Sequence, residues 1–173
     1  MVKGSDILLV NPACQDARVT DDDARQVPIG LYYIAAELLK NGFRASILNL
    51  AGTKGDPLAE FDAFIRNIKP DIIGFSVTNP SRMNAMACAE KSKEVHPDVP
   101  VVFGGPAPTF LYAHLMNACP ALDYIVPGEG EITFLELARA ARDNTPEVKQ
   151  IRGLVYREGD GIARTGPRKL IPD

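Results

Sequence analysis

Residues 71–77 read DIIGFSV and lie between Pro70 and the turn-forming segment TNP at residues 78–80. An apolar run this short, without polar alternation, is typical of a strand buried on both faces of a parallel sheet. Further segments with strand character stand at residues 6–11, 44–50, 100–103 and 123–126. The sequence therefore predicts five strands.

The segments between these strands have helical spacing. In the first of them, Leu31, Ile34 and Leu38 recur at helical intervals, and Asn41-Gly42 supplies a stop. We predict helices at residues 30–41, from 57 until Pro70, and at 80–95, 110–118 and 131–142. Strands that alternate with helices predict an α/β fold, a doubly wound five-stranded parallel sheet with helices on both faces.

The last part of the chain has a different pattern. Residues 154–157 and 162–165 are short alternating runs around the turn sequence EGDG at 158–161, which predicts a C-terminal β-hairpin. The polar segment 143–150 precedes it. We therefore divide the chain into an α/β domain at residues 1–142 and a linker with a hairpin at residues 143–173.

The composition of the chain limits the binding partners and the cellular location that we expect. The 173 residues carry a net charge of −3 and no basic run, so nucleic acid is not an expected partner. No apolar stretch approaches the roughly 20 residues that span a bilayer, so we expect no membrane contact and a cytoplasmic protein. The three cysteines, Cys14, Cys88 and Cys119, form no C-x-x-C pair and are interpreted as reduced thiols.

The carboxyl ends of the strands, where parallel sheets bind ligands, are rich in small residues. The loops concerned are residues 11–28, 76–80, 104–109 and 127–131, whereas 51–55 is less distinctive. Glycine allows a backbone to approach a ligand closely, which suits a large, flat ligand lying over this edge. Each loop taken alone could equally be a tight turn.

Common nucleotide sites are not supported. Residues 11–14 read NPAC where a dinucleotide fold needs G-x-G-x-x-G, and no P-loop motif occurs. A phospho-receiver domain would place an aspartate after the third strand, where Ser76 and Thr78 stand. The acidic residues 21–23 are interpreted as a solvated loop.

Four segments carry a family resemblance. They are PIGLYYIAAELLKNGF (28–43), PDIIGFSVT (70–78), VVFGGPAPT (101–109) and DYIVPGEGEITFLEL (123–137). In this order and at this spacing, the chain resembles the N-terminal cobalamin-binding domain of cobalamin-dependent radical S-adenosylmethionine enzymes. The resemblance covers essentially the whole chain and implies a flavodoxin-like fold with cobalamin as the cofactor.

The resemblance also implies the binding residues. Those matched to the family's motifs are Asn11, Pro12, Gly30, Leu31, Ser76, Val77, Thr78, Gly104, Gly105, Pro106, Gly128, Glu129 and Gly130. In the family, the nucleotide tail lies beside the serine motif and the paired glycines. We expect its dimethylbenzimidazole to insert between strands, where small side chains leave room for it. A branched side chain at Gly104 or Gly105 is therefore expected to block the tail and leave the fold largely intact.

One departure concerns the cobalt. Residues 11–28 contain no histidine, and His96 and His114 fall in or after helices, so no protein ligand to the metal is expected. The resemblance implies a parent enzyme with a [4Fe–4S] cluster and S-adenosylmethionine on a barrel of the same polypeptide, and cobalamin as methyl carrier. The cluster motif Cys-x-x-x-Cys-x-x-Cys is absent here, so this chain is expected to bind and not to catalyse.

Two alternatives remain open from the residues alone. A flavodoxin-like regulatory or protein-interaction module without cobalamin would use the glycine loops only as turns. A small α/β nucleotide-binding enzyme is less favoured, because the sequence offers no paired acid and base and no activated nucleophile.

Overall fold

A computed structural model describes residues 6–14 and 28–169. Its strands are β1 (Asp6–Asn11), β2 (Arg44–Asn49), β3 (Ile72–Ser76), β4 (Val101–Gly104), β5 (Tyr124–Val126), β6 (Val155–Glu158) and β7 (Gly161–Arg164). Its helices are α1 (Ile29–Lys40), α2 (Pro57–Arg66), α3 (Arg82–Val95), α4 (Pro106–Ala118) and α5 (Glu131–Asp143), with a short 3-10 turn at Val148–Gln150. The acidic residues 21–23 lie outside the described residues.

The strands form one sheet in the order β2-β1-β3-β4-β5-β6-β7. The first five strands are parallel, so their carboxyl ends share one edge. The strand order reverses between β1 and β3, where the chain leaves one side of the sheet for the other. Open α/β sheets bind ligands at such a switch point.

Helices cover both faces, as the sequence predicts. Helices α1 and α5 pack on one face, where Leu9, Leu31 and Phe134 belong to a common core. Helices α2, α3 and α4 pack on the other, where Phe75 lies 5.6 Å from Phe103 between ring centroids. The predicted α/β fold with a mostly parallel sheet is confirmed.

The predicted strand count is wrong, because the C-terminal hairpin joins the sheet. Strand β6 pairs antiparallel with β5, and β7 pairs with β6, so the sheet has seven strands among the described residues. Arg157 fixes this arrangement by donating from Nη2 to the carbonyls of Met116 and Cys119 at 2.6 and 2.8 Å. These carbonyls belong to the end of α4, where a cation is favoured. The domain boundary at residue 142 stays a prediction.

Helix α4 begins four residues before its predicted start. Pro106 occupies the first helical position and Pro108 follows within the first turn, where a missing N–H breaks no helical hydrogen bond. The backbone at Leu111 departs from helical geometry and marks a kink. Much of the segment 104–109, expected to be a loop, is therefore the first turn of a helix.

The described helices are shorter than the roughly 20 residues that an α-helix needs to span a bilayer. None of those within residues 6–14 and 28–169 combines the length and the apolar character that crossing a bilayer requires.

The contact between β3 and α5 leads to the first prediction. A Cβ built at Gly74 would lie 2.6 Å from Cε2 of Phe134, so we expect Gly74→Ala to lower the free energy of unfolding by about 1–3 kcal/mol. Urea unfolding measures this. Gly104→Ala is the matched control, since its Cβ would lie 3.6 Å from the Val126 carbonyl oxygen, in ordinary contact. Equal stability of the two variants would contradict the prediction.

Candidate functional site

A cavity of about 130 Å³ opens at the carboxyl edge of the sheet, between the sheet and helices α1 and α5. Its floor contains Leu9, Gly74, Val102 and Val126, one from each of β1, β3, β4 and β5. Leu9 stands opposite Gly74 in the register. The cavity therefore crosses the switch point and extends over the neighbouring strands.

The walls of the cavity come from the two covering helices. Helix α1 contributes Gly30, Leu31 and Ile34, and α5 contributes Phe134. Phe134 is only 3% exposed and lies over the space that Gly74 leaves empty. The inner end of the cavity is consequently apolar, which suits an aromatic or aliphatic group.

The rim is formed by small and polar residues at the strand ends. These are Ser76, Gly104, Gly105, Gly128, Glu129, Gly130 and Glu131. Ser76 pairs with Gly104 in the register, so a hydroxyl and an open backbone lie side by side. Polar groups above an apolar interior match a ligand with a hydrophobic end and a hydrophilic body.

The backbone conformation at residue 105 explains why glycine stands there. Its φ of +101° is a conformation that favours glycine, and a Cβ there would lie 3.0 Å from the Val77 carbonyl oxygen. A side chain at Gly105 would therefore strain the fold itself. The expectation that the fold tolerates a branched side chain is therefore wrong for Gly105. It stays a prediction for Gly104, where a Cβ would have room.

Thr109 connects two loops of the rim. Its hydroxyl donates to the Gly105 carbonyl oxygen at 2.8 Å and accepts the Gly128 N–H at 2.9 Å. Gly128 itself has a φ of +73°. One side chain of α4 thus holds the glycine loop after β5 against the glycine turn after β4.

Eight of the thirteen residues matched to the family's motifs line this cavity. They are Gly30, Leu31, Ser76, Gly104, Gly105, Gly128, Glu129 and Gly130. Sequence reasoning missed the floor, Ile34, Glu131 and Phe134. Only the fold could have separated Ile34 and Phe134 from ordinary core residues, because apolar residues at helical spacing look alike in sequence.

Two residues of the first loop lie outside the cavity lining. The Asn11 amide donates from Nδ2 to Oδ1 of Asn49 at 2.9 Å, which joins the ends of β1 and β2. Asn49 Oδ1 also accepts the Ala51 N–H. Pro12 is buried. Both predicted residues thus stand at the same edge, beside the cavity.

The remaining three residues also lie outside the cavity lining. Val77 is fully buried in the core on the α2–α4 face, and its N–H donates to the Gly104 carbonyl oxygen at 2.7 Å. Thr78 forms a hydrogen bond with Ser81, hydroxyl to hydroxyl at 3.0 Å, before α3. Pro106 is exposed at the start of α4. Their contacts shape the loops around the site.

Histidines and cysteines do not meet at this cavity. His96 bonds through Nε2 to the Ile65 carbonyl oxygen at 2.9 Å, and His114 is exposed on α4. Burial raises the pKa of the Cys88 thiol to about 12 and also raises the pKa of Cys119. Within the described residues, no group of three or more His, Cys, Asp and Glu side chains is placed to hold a metal ion.

A doubly wound sheet with a cavity at its switch point defines a ligand-binding α/β domain, and comparison with known proteins narrows the class. The B12-binding domain family matches residues 19–138. An uncharacterized methyltransferase of Pyrococcus horikoshii is 34% identical over 95% of this chain and 35% of its own length. An anaerobic magnesium-protoporphyrin IX monomethyl ester cyclase of Rubrivivax gelatinosus is 31% identical over 78% of this chain and 24% of its own length.

Solved structures share the fold. The radical S-adenosylmethionine methyltransferase TsrM of Kitasatospora setae, with cobalamin and a [4Fe–4S] cluster bound, superposes with a TM-score of 0.80 at 23% identity, over 98% of this chain and 30% of that one. OxsB, a cobalamin-dependent S-adenosylmethionine radical enzyme, gives a TM-score of 0.80 at 17% identity, over 98% and 23%.

The chain belongs to the B12-binding domain family. The family match covers more than half of its residues, which confirms the resemblance carried by the four motifs and cobalamin as the family's cofactor. The chain spans about a third or less of the length of these relatives.

The hydroxyl of Thr109 generates the second prediction. We expect Thr109→Val, which keeps the shape and removes the hydrogen bonds, to speed hydrogen exchange of the Gly128 amide about five- to tenfold. Nuclear magnetic resonance measures the exchange of that amide. Thr109→Ser retains the hydroxyl and should exchange like the natural protein. Slow exchange in Thr109→Val would mean that another group holds Gly128.

Proposed function

We propose that this chain binds cobalamin with the nucleotide tail in the cavity beneath α1 and α5 and the corrin ring over the carboxyl edge of the sheet. The observation that supports this proposal is an apolar cavity with a glycine-rich rim at the switch point of the sheet, in a chain that belongs to the B12-binding domain family. The floor at Val102 and Val126, beside the Phe134 ring, would receive the aromatic base. Ser76 and the open backbone at Gly104 would border the sugar and phosphate.

The position of the cavity changes one part of the sequence-based interpretation. The tail was expected to enter between strands, whereas the available space lies between the sheet and the two helices. Glycine at positions 104 and 130 still leaves room for the tail, because a side chain at either position would project toward this space. A Cβ at Gly130 would already stand 3.4 Å from Cδ1 of Ile34.

We also propose that the whole protein is a radical S-adenosylmethionine enzyme of the methyltransferase type. Bound cobalamin would supply a carrier for a methyl group, and a barrel of the same polypeptide would hold the [4Fe–4S] cluster and S-adenosylmethionine. The relatives' names and their greater length support this proposal. Cys14, Cys88 and Cys119 form no disulfide with one another, which is compatible with a cytoplasmic location that we include in the proposal.

The third prediction tests cobalamin binding directly. Purified protein incubated with hydroxocobalamin should carry corrin absorbance in its own gel-filtration peak. Gly104→Val should abolish this retention, because the branched side chain would occupy the cavity and its Cβ meets no close neighbour that would disturb the fold. Circular dichroism and thermal unfolding check the fold of each variant.

Gly161→Val is the matched control for this experiment. Gly161 lies on β7, outside the cavity lining, and its Cβ would be 3.5 Å from the Glu158 carbonyl oxygen. It should retain cobalamin like the natural protein. A folded natural protein that elutes without corrin would overturn the binding proposal and favour an interaction module. If Gly104→Val still retains cobalamin, the nucleotide tail does not lie in this cavity.

The fourth prediction concerns the lower face of cobalt. A tail held in the cavity cannot coordinate the metal, and His96 and His114 lie away from the cavity, so this chain supplies no replacing imidazole. Electron paramagnetic resonance of the bound Co(II) form should therefore lack nitrogen superhyperfine splitting, which free base-on cobalamin displays. Splitting that disappears in His114→Ala or His96→Ala would refute this.

A further inference from the structure

Glu131 carries a buried oxygen atom with unused hydrogen-bonding capacity. It is the first residue of α5 and lines the rim of the cavity. Its Oε2 atom is buried and has no hydrogen-bond donor among residues 6–14 and 28–169. A buried carboxylate oxygen is normally paired, because leaving it without a donor forfeits the hydrogen bonds it had in water.

The position at the start of a helix explains why residue 131 carries a negative charge. It does not explain why the Oε2 atom is buried without a hydrogen-bond donor. A carboxylate in the first turn is favoured by the helix dipole, and an exposed side chain would obtain that benefit equally well. Glu60 does so in the first turn of α2, where it is exposed. Glu131 instead lines a cavity and keeps its Oε2 atom buried without a donor.

Neighbouring polar groups on the rim are already engaged. The Thr109 hydroxyl serves both Gly105 and Gly128, and Glu129 also has a partner. Besides the Ser76 hydroxyl, Glu131 Oε2 is therefore an acceptor on this rim that a ligand could complete.

We infer that Glu131 accepts a hydrogen bond from a ribose hydroxyl of the cobalamin nucleotide tail. This inference rests on the proposed function. Dimethylbenzimidazole joined to its sugar carries no N–H, and the phosphodiester is an acceptor that a carboxylate repels. The amide side chains of the corrin are donors, but they belong to a ring that is wide for a cavity of about 130 Å³. The ribose hydroxyls are the donors that enter with the tail.

The experiment compares two corrinoids that differ in this tail. Hydroxocobalamin carries the nucleotide, whereas diaquacobinamide lacks it and keeps the corrin amides. We expect Glu131→Leu to weaken cobalamin binding by about tenfold or more and to leave cobinamide binding unchanged. Glu131→Gln, which keeps one acceptor oxygen, should lose only a few-fold. Titrations followed by corrin absorbance measure all of these affinities.

Glu60→Gln and Glu60→Leu are the matched controls. They remove a carboxylate from the same turn of another helix and should bind both corrinoids like the natural protein. Thermal unfolding without ligand gives a second readout. It checks that the Glu131 variants remain folded, so that a loss of cobalamin affinity reports on binding. If Glu131→Leu fails to fold, the isosteric Glu131→Gln carries the comparison.

Each result decides between separate explanations. Unchanged cobalamin affinity in the Glu131 variants, with binding by the natural protein intact, overturns this inference alone. Equal losses for cobalamin and cobinamide assign Glu131 to a corrin amide and overturn the ribose assignment. A natural protein that binds neither corrinoid overturns the proposed function and this inference with it.

Discussion

The site depends on the absence of side chains where β3 and β4 approach their carboxyl ends. Gly74 leaves room for Phe134, whose ring would collide with a Cβ at 2.6 Å, and this contact sets how closely α5 approaches the sheet. Past that contact, Gly104 adds no side chain over the floor. A close-packed interior leaves few spaces larger than a water molecule, so an open slot at this place requires small residues on neighbouring strands.

The same logic explains which parts of the fold could be predicted from the sequence. The run at residues 71–77 predicts a buried strand, since parallel strands covered on both faces are apolar throughout. The attachment of the hairpin to β5 depends on distant contacts, above all those of Arg157 with carbonyls at the end of α4. Local periodicity does not encode them. The early start of α4 was hidden by Pro106, because proline marks both turns and first helical turns.

The candidate site was predictable where glycine and a strand end coincide, as at Gly104 and Gly128. Which face a residue near a strand end presents was harder to predict. Val77 follows Ser76 directly, yet Ser76 lines the cavity and Val77 is buried in the core on the opposite face. Glu131 belongs to the predicted ligand loop 127–131, but nothing in the sequence separates it from Glu129. The burial of its Oε2 atom emerges from the packing of α1 and α5 around the cavity.

The C-terminal segment contributes to the site although none of residues 143–169 lines the cavity. Thr133 in α5 donates to the Arg152 carbonyl oxygen at 3.0 Å, and its hydroxyl accepts from Nε of Arg168 at 3.0 Å. Arg168 also forms an ion pair with Glu136. These contacts hold the outer side of α5 while Phe134 holds its inner side. The distance between α5 and the sheet, and with it the width of the cavity, is therefore fixed from both directions. Arg152 and Arg168 thus brace the helix that forms one wall of the cavity, although both lie far from it in sequence.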